Sequence, residues 1–304
     1  MLHGPSTRDT AVPYSEWTRY LSEFSPDCTL RRPPPGLYEP AAMATPTGGW
    51  AGVDDAAIES FARQGFLVVA DAFAHGEVDD AVAAVDALLR GADPSYRPAR
   101  WGRKHGVLLR PGEDLSNLDG DEPLSALVLA RGLVEHERRL QNMAEHPRLA
   151  AFLQRVMGDT PALIHDMVRA KPPSQGDKPW HQDLTHFNVD HSSTVVTVWI
   201  ALDDAPLEAG CLHFAPGSHR DGPARHVFGR DYQIPDADVR RVGQVATPVR
   251  RGSCVLLNGL VQHGSPPNRS SARRLALQLT FKPGSATMIT DDERILAFSG
   301  SRSG

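Results

Sequence analysis

The chain has 304 residues, of which 40% are hydrophobic and 23% are charged, and its formal net charge is −5. This length can bury one large core, and the composition is typical of a globular protein. Because the charge balance is slightly acidic, neither nucleic acid nor an anionic membrane is expected as the main partner.

The cysteines and the N-terminal residues indicate the cellular compartment in which the protein is expected. Cys28, Cys211 and Cys254 are scattered and form no CxxC pair, so neither a disulfide framework nor a thiolate zinc site is indicated. The first residues lack the basic-then-apolar run of a secretory signal, and no apolar run approaches the roughly 18 residues of a membrane span. We therefore expect a cytoplasmic protein without a membrane partner, and the oligomeric state stays open.

Three segments differ in composition. Residues 1–52 are rich in Pro, Gly, Ser and Thr, which predicts a poorly ordered N-terminal arm with a short helix near residues 14–24. A folded domain is predicted for residues 53–284, and residues 285–304 are predicted as a C-terminal tail.

The first half of the domain has helical periodicity. Residues 55–62 have helical spacing with an acidic start, and residues 77–89 place apolar side chains on one face. Further helices are predicted at about 124–142 and 147–157, and a short buried strand follows Gly65. A basic cluster at 97–105 could receive a phosphate or carboxylate, although a solvated loop is the simpler interpretation.

From Pro161 onward the pattern changes to strands separated by Pro/Gly turns. In the last strand, Leu275, Leu277 and Leu279 alternate with small or polar residues, so one face suits packing under helices and the other suits a cavity. A chain with helices in its first half and antiparallel strands in its second half predicts a fold that is mainly β with some α. The expected architecture is a β-sandwich or an open barrel with the helices packed on one outer face. The predicted strands are 162–170, 194–202, 210–215, 253–263 and 273–282.

A His-x-Asp pair lies at residues 181 and 183. On an extended strand these two side chains project to the same face, so His181 and Asp183 could bind one ion while Gln182 points away. His263, from a distant strand, would complete a set of two histidines and one carboxylate. This set suits ferrous iron in oxygenases, because three coordination positions stay open.

Several segments, in the same order along the chain, resemble the phytanoyl-CoA hydroxylase (phytanoyl-CoA dioxygenase) family of Fe(II)- and 2-oxoglutarate-dependent oxygenases. The resemblance spans roughly residues 55–283 and implies a double-stranded β-helix core, also called a jelly roll or cupin-like fold. The segments are HDMVRAKPP at 165–173, WHQDL at 180–184, VWIALDD at 198–204, GCLHFAPGSH at 210–219 and HGS at 263–265.

The resemblance also implies roles for single residues. His181, Asp183 and His263 are the implied iron ligands and catalytic residues. Arg274, on the strand that returns after His263, is the implied partner of the distal carboxylate of 2-oxoglutarate, because a guanidinium can donate two parallel hydrogen bonds to it. Ser265 resembles a family hydroxyl that assists the same carboxylate.

Other residues of the pocket follow from the same resemblance. Trp199 and Met167 match positions that line the cosubstrate pocket, and we also count Gln182 among the cosubstrate-binding residues. Arg169 shares strand parity with Met167, so it faces the cavity at a place where relatives often carry a polar amide. Its contact with the inner carboxylate of the cosubstrate or with the substrate stays open. Asp183 argues against halogenation, because related halogenases have a small residue there.

The implied function is hydroxylation of an aliphatic C–H bond of a small metabolite or natural-product intermediate, using Fe(II), 2-oxoglutarate and dioxygen. An acyl-CoA or acyl-carrier substrate is an alternative, and desaturation, epimerisation or ring formation would use the same ligands. A jelly-roll binding protein without turnover is the non-enzyme alternative. The complete ligand set together with Arg274 weighs against it.

Overall fold

The computed structural model of the chain describes residues 32–96, 106–109 and 123–300. The helix predicted near 14–24 and the basic cluster at 97–105 lie outside these residues. None of the helices in the described ranges has the length and apolar character needed to cross a membrane.

Local capping residues set the helix boundaries. The first helix begins after Asp54, whose carboxylate accepts a hydrogen bond from the Ala57 N–H, and it ends at Gly65, which is in the left-handed conformation at φ 84°. The helices are α1 (Asp55–Gln64), α2 (His75–Leu89), α3 (Pro123–Ala126), α4 (Arg138–Ala144), α5 (Pro147–Met157) and α6 (Asp291–Phe298).

The strands form two main sheets and a small hairpin. The strands are β1 (Ala42–Met43), β2 (Phe66–Val69), β3 (Gly106–Leu109), β4 (Leu127–Arg131), β5 (Pro161–Lys171), β6 (Lys178–His181), β7 (Val196–Ala201), β8 (Leu212–Phe214), β9 (Val227–Phe228), β10 (Tyr232–Gln233), β11 (Val245–Thr247), β12 (Cys254–Asn258), β13 (His263–Ser265) and β14 (Arg274–Pro283). The large sheet has the order β2-β12-β7-β14-β5-β4-β3, and the small sheet has the order β1-β11-β8-β13-β6. The β1–β11 pair is parallel, and β9 and β10 form the hairpin.

The two sheets pack face to face with the helices outside the large sheet. Trp199 from the large sheet and Phe214 from the small sheet are buried in one cluster between the sheets. On the other face of the large sheet, Leu275, Leu277 and Leu279 are buried against the helices. This layering confirms the predicted fold class, as an open sandwich rather than a closed barrel.

The helix predicted at about 124–142 is wrong. Its first part is the four-residue helix α3, and residues Leu127–Arg131 form strand β4, which pairs with β5. A short apolar run such as Leu127–Ala130 fits either a strand or a buried helix, and pairing with β5 decides. The single strand predicted at 253–263 is divided into β12 and β13 by a turn. The extended strand expected through His181 and Asp183 ends at His181, and Asp183 begins a 3₁₀ turn.

Both segments that flank the predicted domain contribute to its packing. Leu37 is fully buried beside Trp180, and Tyr38 stacks on the same indole with ring centroids 5.8 Å apart. At the other end, Phe298 of α6 is buried with Leu184. The described part of the N-terminal segment and the segment after residue 284 therefore carry ordered elements.

Truncation of Leu277 tests the packing between the large sheet and the helices. Leu277 is fully buried, so we expect Leu277→Ala to lower the free energy of unfolding by about 2–5 kcal/mol, because the lost methyl groups leave a cavity. Leu296→Ala is the matched control, since Leu296 lies on α6 with 51% exposure. Urea denaturation measures both changes, and equal losses would contradict the packing described.

Candidate active site

Two imidazoles meet across a strand pair of the small sheet. His181 ends β6 and His263 begins β13, and the two residues are directly paired. Their ring centroids lie 4.3 Å apart. Asp183 follows at the start of a 3₁₀ turn, and its Oδ1 lies 3.4 Å from His181 Nε2 and 3.6 Å from His263 Nε2. One ligand atom from each residue lies within 4.8 Å of the other two, so a single metal ion could bind all three.

Backbone carbonyls orient both rings. His181 Nδ1 lies 2.8 Å from Pro179 O, and His263 Nδ1 lies 3.1 Å from Val261 O. A carbonyl can only accept, so each Nδ1 donates its hydrogen and each Nε2 keeps a free lone pair directed toward Asp183. This tautomer is the one that a metal ion requires.

The charges around Asp183 also suit a cation. Burial by itself would raise the pKa of Asp183, but His263 and His181 outweigh it and hold that pKa below the usual range. Burial, followed by the nearby His181, lowers the pKa of His263 to about 4, so this ring is neutral at physiological pH. Asp183 Oδ2 is buried without a hydrogen-bond partner. Two imidazoles and a carboxylate with a free oxygen fit Fe(II), which needs no thiolate.

Arg274 is a buried cation on β14. One NH1 group donates to Gly210 O and to Ser265 Oγ, the latter at 2.9 Å, whereas the buried Nε has no partner. The guanidinium also lies over the Trp199 ring, 5.3 Å from its centroid. Burial lowers the pKa of Arg274 to about 9, so it stays charged at neutral pH. No carboxylate in the described ranges pairs with it, and a carboxylate ligand would satisfy its remaining donors.

Lys171 is a second buried basic residue that the sequence analysis did not single out. It is paired directly with Arg274 across β5 and β14. Its Nζ donates to Ser265 Oγ at 2.6 Å and to the carbonyl oxygens of Ser265 and Pro266. Burial, followed by the charge of Arg274, holds the pKa of Lys171 below its usual range. Its strand parity with Arg169 was the signal that could have identified it.

Gly210 allows the backbone to approach this end of the pocket. Its φ is +75°, and a Cβ at this position would lie 2.3 Å from Pro266 O. Its carbonyl accepts hydrogen bonds from both Arg274 and Ser265. Gly210, at the start of the strand predicted for residues 210–215, therefore supports the arginine through its carbonyl.

The remaining predicted residues lie at different positions. Trp199 is buried between the sheets, and Met167 is half-buried on the face of β5 opposite the fully buried Val168.

Gln182 requires a correction, because its side-chain amide is used elsewhere. The amide donates hydrogen bonds to Gly222 O and Leu260 O and accepts one from the Ala224 N–H. Gln182 therefore ties loops together and does not face the cosubstrate.

His226 supports the same segment. Its Nε2 accepts a hydrogen bond from the Gln182 N–H at 3.1 Å, and its Nδ1 donates to Ala224 O at 2.9 Å. Burial lowers the pKa of His226 to about 3, so the folded protein holds this ring neutral. Protonation would remove the acceptor that the Gln182 N–H uses.

The neutral state of His226 predicts a pH dependence of stability. Between about pH 6.5 and 3 the unfolded state binds a proton that the folded state does not, so its contribution to stability is lost as the pH falls. In metal-free protein, we expect the free energy of unfolding to decrease between pH 7 and pH 5 by about 2 kcal/mol more in wild type than in His226→Gln. Urea denaturation at the two pH values measures this difference, and equal decreases would contradict the buried neutral ring.

Known proteins of related sequence match long stretches of this chain. A phytanoyl-CoA dioxygenase domain-containing protein 1 homolog from Caenorhabditis elegans is 26% identical over 254 residues, which cover 72% of this chain and 87% of the worm protein. Matches to vertebrate proteins of that description cover less of those proteins, 58% of the mouse protein and 65% of the bovine one.

Solved structures of similar fold include two enzymes with bound small molecules. EctD from S. alaskensis, solved with 2-oxoglutarate and 5-hydroxyectoine, has a TM-score of 0.61 and 20% identity, over 84% of this chain and 83% of EctD. The epimerase SnoN, solved with Fe³⁺, alpha ketoglutarate and nogalamycin RO, has a TM-score of 0.58 and 22% identity, over 83% of this chain and 93% of SnoN. At these identities the likeness shows a shared fold. The model of the phytanoyl-CoA dioxygenase (PhyH) family matches residues 61–276, which is most of the chain, and the protein therefore belongs to this family and is an oxygenase.

Proposed function

We propose that the protein is an Fe(II)- and 2-oxoglutarate-dependent dioxygenase that hydroxylates an aliphatic C–H bond of a small metabolite or natural-product intermediate. One observation carries the proposal: a single strand, β13, connects the three candidate metal ligands to a buried arginine that pairs with no carboxylate of the described residues. Ser265 connects the two parts, because it lies two residues after His263 on β13 and accepts a hydrogen bond from Arg274.

His181, Asp183 and His263 would hold the metal ion. Two histidines and one carboxylate would leave coordination positions open for the cosubstrate and dioxygen. When bound, Fe(II) and 2-oxoglutarate supply the oxidising chemistry by activating dioxygen. The protein contributes ring orientation, through the two Nδ1 hydrogen bonds to backbone carbonyls, and a buried carboxylate whose second oxygen is unpaired.

Arg274 and Ser265 would bind the distal carboxylate of 2-oxoglutarate. The free donors of the guanidinium provide the charge and the planar geometry that a carboxylate needs. Trp199 forms the wall beneath the guanidinium, and Met167 would line the pocket from β5. Lys171 holds Ser265 in place through its short contact with the hydroxyl.

Aromatic packing covers one side of the site. Phe214 stacks on the His263 ring with centroids 5.7 Å apart, and Phe66 stacks on Phe214 at 4.3 Å. These rings fix His263 from behind and exclude water from that side. Exclusion of water protects a reactive oxidant from side reactions.

The same metal ligands could support a reaction other than hydroxylation. SnoN is an epimerase of the same fold, and the family takes its description from an acyl-CoA substrate. Mass spectrometry of the product separates the cases: hydroxylation adds one oxygen atom, desaturation or ring closure removes two hydrogens, and epimerisation leaves the mass unchanged. Coupled formation of succinate and a product with one added oxygen atom tests the proposed hydroxylation.

Replacement of Asp183 tests the metal site. We expect Asp183→Ala to lower Fe(II) affinity by at least about 100-fold and to abolish succinate formation, because loss of an outer partner of a ligand alone costs about 10–100-fold. Anaerobic titration with Fe(II) measures the affinity. Asp203→Ala is the matched control, because Asp203 pairs with Arg273 instead of facing the ligands. Unchanged Fe(II) affinity in Asp183→Ala would falsify the ligand assignment.

Replacement of Arg274 tests the cosubstrate site separately. Loss of two charge-assisted hydrogen bonds is expected to raise the 2-oxoglutarate concentration needed for half-maximal succinate formation by about 100-fold in Arg274→Gln, with Fe(II) affinity retained. Arg273→Gln removes the adjacent guanidinium, which pairs with Asp203, and should change this concentration by less than about threefold. The assignment fails if both variants behave alike.

A further inference from the structure

Arg169 lies on the same face of the large sheet as Arg274, the face that is turned toward the small sheet. Its chain neighbours Val168 and Ala170 are buried in the core under the helices, so Arg169 projects to the opposite face. On that face it is paired with the fully buried Ala276 of β14. Its distance from Asp183 is short enough for the two charges to influence each other.

Within the described residues, Arg169 makes no hydrogen bond and no ion pair. This contrasts with Arg230, which is equally half-buried but binds the carboxylates of Asp177 and Asp236. Arg169 is half-buried, and burial lowers the pKa of its guanidinium. A partly buried guanidinium that has no acceptor among the described residues can bind an anionic ligand through its five donors.

The nearby carboxylates are already committed. The acidic groups that act on Arg169 are Asp231 and Asp183. Asp231 accepts a hydrogen bond from the Lys178 ammonium group. Asp183 lies between the two imidazoles that would bind the metal with it. Neither carboxylate is therefore left to neutralise Arg169.

The charges of the proposed complex leave Arg169 unbalanced. The two positive charges of Fe(II) and the one of Arg274 equal the negative charges of Asp183 and of the two carboxylates of 2-oxoglutarate. Any charge on Lys171 would add to the positive excess. Among the described residues no further acidic group pairs with Arg169, and the cosubstrate has no third acidic group.

Arg169 lies beside the cosubstrate site, because its charge is, after burial, among the causes that lower the pKa of Arg274 and the pKa of Lys171. Arg169 lies two residues from Lys171, the partner of Arg274, which corresponds to roughly 7 Å along the strand. It is also two strands from Trp199 on β7, which corresponds to roughly 10 Å across the sheet. Arg169 therefore flanks the pocket on the side of β4 and β5.

We propose that Arg169 binds an anionic group, a carboxylate or a phosphate, of the substrate that the enzyme oxidises. This proposal rests on the proposed function and narrows its substrate class to anionic metabolites. The guanidinium would anchor that group at the flank of the pocket and so orient the rest of the substrate toward the metal ligands.

The test uses anion binding to the loaded enzyme. The protein is first saturated with Ni(II), which supports no turnover, and with 2-oxoglutarate, and the affinity for 2-oxoglutarate is recorded by calorimetry. Sodium phosphate and sodium acetate are then titrated separately into this complex. We expect at least one of the two anions to bind wild type and to bind Arg169→Gln about 10- to 100-fold more weakly. The anion that binds more tightly identifies the chemical class.

Two further variants control for charge and folding. Arg169→Lys should recover part of the anion affinity, and Arg273→Gln should bind the anion as wild type does, because Arg273 pairs with Asp203 outside the pocket. The 2-oxoglutarate affinity of Arg169→Gln should stay within about threefold of wild type. Thermal unfolding of each variant confirms that it is folded.

Three results would overturn the proposal: neither anion binds wild type, Arg169→Gln binds the anions as well as wild type, or Arg169→Gln loses affinity for 2-oxoglutarate. The last result would assign Arg169 to the inner carboxylate of the cosubstrate. If wild type fails to bind 2-oxoglutarate at all, the proposed function fails instead, so the two failures are distinguishable.

Discussion

The site depends on the direct pairing of His181 with His263 across β6 and β13. This pairing places two imidazoles side by side although they are far apart in sequence, and the turn after β6 places Asp183 against both. Each ring is held by the backbone carbonyl two residues earlier, Pro179 in β6 for His181 and Val261 in the turn before β13 for His263, so the local backbone selects the tautomer. Because strand pairing is rigid, the ligand geometry exists before any ion binds, which limits the reorganisation that binding requires.

Side chains alternate between the two faces of the large sheet, so one face packs in the hydrophobic core and the other carries the functional residues. On β14, Leu275 and Leu277 pack under the helices, whereas Arg274 and Ala276 face the small sheet. On β5, Val168 is in the helix-covered core and Arg169 faces the cavity. A shift of one residue in register would bury the charges under the helices and expose the leucines, so the apolar face also fixes the position of the functional residues.

Basic residues accumulate on the inner face, at a cost in desolvation that hydrogen bonds only partly offset. Lys171 satisfies its ammonium group with three oxygen atoms around Ser265, and Arg274 uses Gly210 and Ser265 but keeps donors free. Such a pocket is suited to ligands that carry carboxylates, because each bound anion relieves the repulsion among the cations. The oxygenase chemistry proposed here needs one such ligand, and the unpaired Arg169 indicates a second.

The sequence by itself determined the fold class, the helix-facing side of β14 and the identity of a plausible ligand set, because these depend on periodicity and on the chemistry of a few residue types. It did not determine β4, since the run Leu127–Ala130 fits a strand or a buried helix until β5 supplies hydrogen bonds. It also misassigned Gln182, because the acceptors and donor that use its amide come from loops near residues 222 and 260. Lys171 and the unpaired state of Arg169 emerged only from the tertiary structure, because whether a buried charge has a partner depends on groups that are distant in sequence.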